Sequence, residues 1–171
     1  GANAITMDVI SGTASIGVTS GNHQITAPLI LAKNTEVNVS SAVSNLTISN
    51  LQPSTVTLTK SGAGRLSVNR VQSDGLAIAG GTLAVLPNGT SAGISYVNNL
   101  SVAPAAALDL NDNDLVVNAG SFAAIQQLVF AGFSGSVDAS KTGIVSSTSQ
   151  ADGGREILAL FDNSLVGVAD W

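Results

Sequence analysis

Short stretches in which apolar and polar residues alternate recur along this chain about every 20 residues, and that recurrence constrains the fold more than any single motif. Ile16 and Val18 alternate with Gly17 and Thr19, and Val37 and Val39 with Asn38 and Ser40. The pairs Leu46 and Ile48, Val56 and Leu58, Leu66 and Val68, Leu76 and Ile78, Leu83 and Val85, Leu108 and Leu110, and Leu115 and Val117 continue the pattern. A period of two gives each stretch one apolar and one polar face, as in a half-buried strand. Ile16, Val37, Val56 and Leu76 are 21, 19 and 20 residues apart, and a further strand falls about midway at Ile25, Leu46 and Leu66. Gly, Asn and Ser fill the gaps, as in Ser20-Gly21-Asn22 and Ser73-Asp74-Gly75, and supply the tight conformations of corners. Strand spacing alone fits an antiparallel sandwich as well as a parallel β-helix. The recurrence favours an all-β, right-handed parallel β-helix, a solenoid in which each strand pairs with its equivalent one coil later and the aliphatic residues stack in columns.

Composition points the same way. Only 10% of the 171 residues are charged while 44% are hydrophobic. Helical proteins solvate their outer faces with Glu, Lys and Arg; here that task falls to Ser, Thr and Asn, which disfavour helix interiors, and Thr, Val and Ile suit strands. A net charge of −5 opposes nucleic-acid binding. No apolar stretch approaches the ~20 residues of a membrane-spanning helix, so no membrane insertion is expected. With no cysteine and one histidine, a transition-metal centre is not expected.

The texture changes after Asn118. Residues 1–118 are expected to form the solenoid coils and residues 119–171 a C-terminal cap. A helix is predicted near 121–131, with Ser121 as its N-cap and Phe122, Ile125, Leu128 and Val129 on one face. Residues 133–155 read as a Gly/Ser-rich connector, and 157–161 and 165–168 as two short strands. Phe122, Phe130, Phe133 and Phe161 are the expected plug for the exposed end of the coil stack. Gly1-Ala2-Asn3-Ala4 lacks the charged and apolar regions of a signal peptide, so the chain reads as a mature product or proteolytic core.

The densest acidic run, Asp109-Leu110-Asn111-Asp112-Asn113-Asp114, places oxygen-bearing side chains at alternate positions, a partial match to a calcium loop. It lacks the sixth-position glycine and the distant Glu of an EF-hand, and the glycine pattern of calcium-binding solenoids. Asp109, Asn111, Asp112, Asn113 and Asp114 are therefore the candidate calcium ligands, with a plain turn as the competing reading. No other cofactor is expected. His23 has no Ser or Asp placed to make it a general base. Lys60, Arg65 and Arg70 form a modest basic strip that would suit an acidic polysaccharide, or simply solvated coil edges. Glycoside hydrolysis needs two carboxylates at a set separation, and only Asp109, Asp112 and Asp114 lie close in sequence. No catalytic residue is assigned, and the chain is not expected to be an enzyme.

Leu58-Thr59-Lys60-Ser61-Gly62-Ala63-Gly64-Arg65-Leu66, followed by Gly80-Gly81-Thr82-Leu83, resembles the autotransporter-associated β-strand repeat, in which an L-T-K-x-G-x-G-x-L strand precedes a G-G-T-L strand. Leu108 to Val117, Gly143-Ile144-Val145-Ser146-Ser147 and Ala159 to Leu165 resemble the C-terminal region of large repeat-rich surface proteins of planctomycete type. The resemblance implies a secreted or cell-surface bacterial protein with a structural or adhesive, adhesin-like role and no catalytic residues. Its partners would be polysaccharide, neighbouring copies of itself or the rest of its parent chain. The alternatives are a polysaccharide-active β-helix enzyme and a subunit of a self-assembling extracellular filament or surface layer.

Overall fold

In the computed structural model, which describes residues 3–155 and 157–166, the chain winds into a parallel β-solenoid of about five turns. One sheet holds β2 (Ala14–Val18), β5 (Thr35–Val39), β7 (Thr57–Ser61), β9 (Gln72–Ile78), β11 (Ser95–Val102) and β13 (Leu115–Val117), side by side in that order. The second holds β3 (Asn22–Ile25), β6 (Asn45–Ile48), β8 (Arg65–Val68), β10 (Gly81–Val85), β12 (Ala106–Asp109) and β14 (Gly143–Val145). A short third face pairs β1 (Ile5–Met7) with β4 (Leu29–Leu31), and a bridge joins Leu29 to Leu51. Every pairing is parallel and joins a strand to its counterpart in the next coil. This is the β-helix rather than the sandwich.

Register turns the sequence alternation into columns. In the second sheet His23, Leu46, Leu66, Leu83, Leu108 and Ile144 are successive partners, as are Ile25, Ile48, Val68 and Val85. Leu46, Leu66, Leu83 and Leu108 are at most 2% exposed, and each contributes about 1.5–3 kcal/mol of burial free energy. Strand hydrogen bonds cannot be made within one coil, so each coil relies on its neighbours for both its ladder and its apolar cover.

Coil length varies while register holds. Arg65 pairs with Thr82, and Gly81 with Ala106, so coils of 17 and 25 residues sit side by side. The extra residues go to the corners. One consequence departs from the sequence spacing, which aligned Val37 with Val56. Val37 instead pairs with Lys60, and Lys60 with Ile78, while Leu58 stacks between Thr35 and Leu76. Val56 falls just before β7 and is half-buried against the core.

The C-terminal region differs from expectation in three respects. The helix forms, as α1 (Phe122–Gly132), but it is an insertion within a coil rather than the start of a separate cap. After it β14 returns to pair with β12, Ala107 meeting Gly143 36 residues on, so the solenoid extends beyond residue 118. Second, the connector contains the short helix α2 (Ser147–Ala151), capped by the Ser146 hydroxyl. Third, 157–161 is not a strand, and Asn163–Val166 is a helical turn, α3; positions 167–168 lie outside the described residues. β14 is the last strand of its sheet and α1 packs against it, so the apolar run at 157–161 finds no strand partner among the described residues. The phenylalanines are not the plug. Phe130, Phe133 and Phe161 are 69%, 56% and 68% exposed, whereas Ile125, Leu128 and Val129 turn onto the aliphatic core. Helical spacing fixes this choice, because Ile125, Leu128 and Val129 share a face that Phe130 does not. No helix among the described residues is long and apolar enough to cross a membrane.

Candidate functional site

The acidic run forms the corner between β12 and β13, and its side chains diverge. Asp109 ends β12 on the outer face of the sheet, yet is 1% exposed because the segment leading into α2 folds over it. Its carboxylate accepts from Arg65 Nη2 at 2.9 Å, Ser147 Oγ at 2.6 Å, Ser147 N at 3.0 Å and Asn111 N at 3.1 Å. Asn111 turns inward with φ 53°, a left-handed conformation that Asn tolerates, and donates to Val85 O at 2.6 Å. Asn113 donates to Leu86 O and Leu110 O, while its buried Oδ1 has no hydrogen-bond partner among the described residues. Asp112 is exposed and accepts from Asn88 N at 2.8 Å; Asp114 is exposed too. Thus Asp109 and Asn111 are committed to stitching coils together, and no group of three or more His, Asp or Glu converges among the described residues.

The Arg65–Asp109 pair joins residues 44 positions apart across Ala84, which lies in register between Ser67 and Asp109 and is small enough to be bridged. Arg65 is 42% exposed and Asp109 only 1%, so their removal is expected to be unequal. Asp109→Ala leaves the Asn111 and Ser147 amides without their acceptor and should cost about 2–3 kcal/mol. Arg65→Ala leaves a carboxylate still held by three donors and should cost about 1 kcal/mol or less. Urea unfolding of the two variants checks the order.

The basic strip does not exist as a surface. Lys60 is fully buried, in the column between Val37 and Ile78. Its Nζ donates to Ser61 O at 2.7 Å, Gly62 O at 2.9 Å and Gly80 O at 3.1 Å, which uses all three ammonium protons. Burial lowers its pKa to about 8. Arg65 is engaged by Asp109, and Arg70 Nη1 donates to Ala92 O at 2.9 Å. The acidic-polysaccharide reading of these three side chains therefore loses its basis. His23 is exposed on β3, its Nε2 2.9 Å from Ser20 O, and Glu36 accepts from Ser61 Oγ at 2.5 Å on the outer face of the first sheet.

A feature absent from the sequence reading lies on that same sheet. Outward positions of β9, β11 and the end of β13 form the floor of an open groove of about 230 Å³, rimmed by the corner Pro53-Ser54-Thr55. Gln72 and Tyr96 are register partners. Two residues further along, Asp74, Asn98 and Asn118 stand in a row on successive coils. Asn118 Nδ2 donates to Asn98 Oδ1 at 3.1 Å, and Asn98 Nδ2 donates to Asp74 Oδ1 at 2.7 Å. The row has a single direction, so each amide is held in one orientation. Among these residues only Tyr96 is aromatic and only Asp74 is charged. The sequence signal for this groove, a Tyr and three polar residues 20 to 24 positions apart, emerges only once the register is known.

No family model, curated protein or solved structure matches the chain.

Proposed function

We propose that this chain is a non-catalytic structural segment of an exported bacterial surface protein, a stiff β-solenoid that displays polar faces to its surroundings. The observation that carries the reading is the unbroken parallel register of two six-stranded sheets around an aliphatic interior. At about 4.8 Å per coil, five turns make a rod roughly 24 Å long in which every internal coil is hydrogen-bonded on both sides. Such an element transmits force and holds side chains at fixed spacing without needing to move. The resemblance of the Leu58–Leu66 and Gly80–Leu83 segments to the autotransporter-associated repeat supports export and a surface location. Distribution of the carboxylates supports a role without catalysis: Asp74 is the one carboxylate lining the groove among the described residues, Glu36 sits beside Ser61, and Asp109 is engaged by Arg65.

The test pairs light scattering with a hydrolysis assay. A monodisperse monomer that releases no reducing ends from a panel of polysaccharides is expected. Ordered polymers in electron micrographs would favour the filament alternative, and reducing-end release abolished by Asp74→Asn would favour the enzyme.

A further inference from the structure

We propose that the groove over Gln72, Asp74, Tyr96, Asn98 and Asn118 is a binding site for a neutral glycan chain. The proposal rests on the display reading above and names what is displayed for.

Three properties of the groove select this ligand class. The first is its mixed character. Tyr96 is half-buried and offers a flat apolar ring with a polar tip, a surface that matches the C–H face of a sugar ring. Around it stand side chains that both donate and accept, as vicinal hydroxyls require.

The second is preorganisation. Hydrogen bonds within the row consume one Asn118 N–H, one Asn98 N–H and the Oδ1 atoms of Asn98 and Asp74. That leaves Asp74 Oδ2 as an acceptor, a second N–H on Asn98, and both Oδ1 and an N–H on Asn118. These free groups alternate along the solenoid axis at the coil spacing of about 4.8 Å, on a backbone that cannot rearrange. Side chains already ordered before binding lose little entropy when a ligand arrives.

The third is charge. Among the described residues the lining contains no Lys or Arg, and its single charge is the Asp74 carboxylate. The nearest basic residue along the chain, Arg70, is turned to Ala92 O. Uronic-acid or sulfated chains are thus repelled, and a neutral hexose chain is not. An open groove rather than a closed pocket suits a segment within a polymer, which must enter and leave sideways. With one carboxylate in place, the groove binds without the paired acid and base that cleavage needs.

Affinity electrophoresis of the full chain through gels containing dextran, laminarin, galactomannan or polygalacturonate tests the site. Retardation by at least one neutral polysaccharide, and none by polygalacturonate, is expected. Tyr96→Ala and Asn98→Ala should each weaken binding about tenfold, while Tyr96→Phe should keep it within about threefold. Phe130→Ser, on the exposed face of α1, should leave it unchanged. Matching circular dichroism and melting curves establish that the variants fold. Asn98 is exposed, so its variant carries the test should Tyr96→Ala unfold. Failure of all three neutral probes, retardation by polygalacturonate alone, or full binding by Tyr96→Ala and Asn98→Ala overturns the proposal. Shortening of the probe, lost in the same variants, would confirm the groove as the glycan site and instead overturn the display reading.

Discussion

Replacing Lys60 with alanine should destabilise the solenoid by about 3–5 kcal/mol, the range for emptying a large, fully buried position. The loss has two parts. The lysine stem fills the column between Val37 and Ile78, and its ammonium satisfies three carbonyls at the corner. Lys60→Met keeps the packing and removes only the donors. Because Ser61, Gly62 and Gly80 are half-buried, water can replace part of what is lost, and about half the alanine cost is expected. Guanidinium unfolding at pH 7 separates the two contributions. A larger loss in the methionine variant than in the alanine variant would show that packing is not the main role of the stem.

Alkaline pH gives the same residue an independent signature. Burial lowers its pKa from 10.5 to about 8. Between those values the unfolded chain holds a proton that the folded protein has released, so the unfolded state binds more protons and raising pH favours folding. The Lys60 contribution is therefore flat below about pH 8 and becomes more favourable up to about pH 10.5. The gain is at most about 1.4 kcal/mol per pH unit, or about 3 kcal/mol in all. The stability of the parent protein minus that of Lys60→Met, followed from pH 7 to 11, should rise. A flat or falling difference would mean that the three carbonyls outweigh burial and hold the ammonium charged.

The second large effect belongs to the glycines at the same corner. Gly62 has φ +75° and Gly81 φ +63°, both in the left-handed region. A Cβ on Gly81 would fall 2.6 Å from Gly62 O and closer still to Gly64 O; one on Gly62 would meet Val39 O. These neighbours are backbone, and two of the carbonyls are already tied between coils, Val39 O by Gly64 N at 2.8 Å and Gly64 O by Thr82 N at 3.2 Å, so they cannot readily step aside. Gly81→Ala and Gly62→Ala should each cost more than about 3 kcal/mol, through strained dihedrals combined with steric overlap. Gly17→Ala is the matched control. It lies in β2, where an added Cβ has nothing within 4 Å, and should change stability by less than about 0.5 kcal/mol. Thermal melts of the three variants decide the matter.

These residues also show how far the sequence could be read. Alternation and recurrence were enough for the architecture, because parallel coils force equivalent residues into columns. Leu46, Leu66 and Leu83 could be placed on the interior without coordinates. Register could not, since it depends on how many residues each corner absorbs, and corners have no hydrophobic period. Register decides that Lys60 rather than Val56 lies opposite Val37, but its inward face follows already from its alternation with Leu58, and only its charge put it in a surface strip. Its polar head disguised a side chain that is mostly hydrocarbon. The candidate calcium run was legible as a corner, but the partner that covers Asp109, Ser147, lies 38 residues away beyond an inserted helix. The row of Asp74, Asn98 and Asn118 stayed hidden for the same reason, each being an ordinary polar residue until the coils are stacked.

The two ends of the rod are dressed differently, and this gives unfolding a direction. At the C-terminal end α1 lies against β14 and turns Ile125, Leu128 and Val129 onto the interior. At the opposite end, among the described residues, β2 and β3 each have a neighbour on one side only, and His23 occupies the head of a column otherwise filled by leucines and an isoleucine. In a chain whose units cohere only through their nearest neighbours, the least supported unit opens first and exposes the next. The coils should therefore fray in order from the first towards α1, like a zip with its stop at one end, and amide hydrogens of β2 and β3 should exchange well before those of β10 and β12.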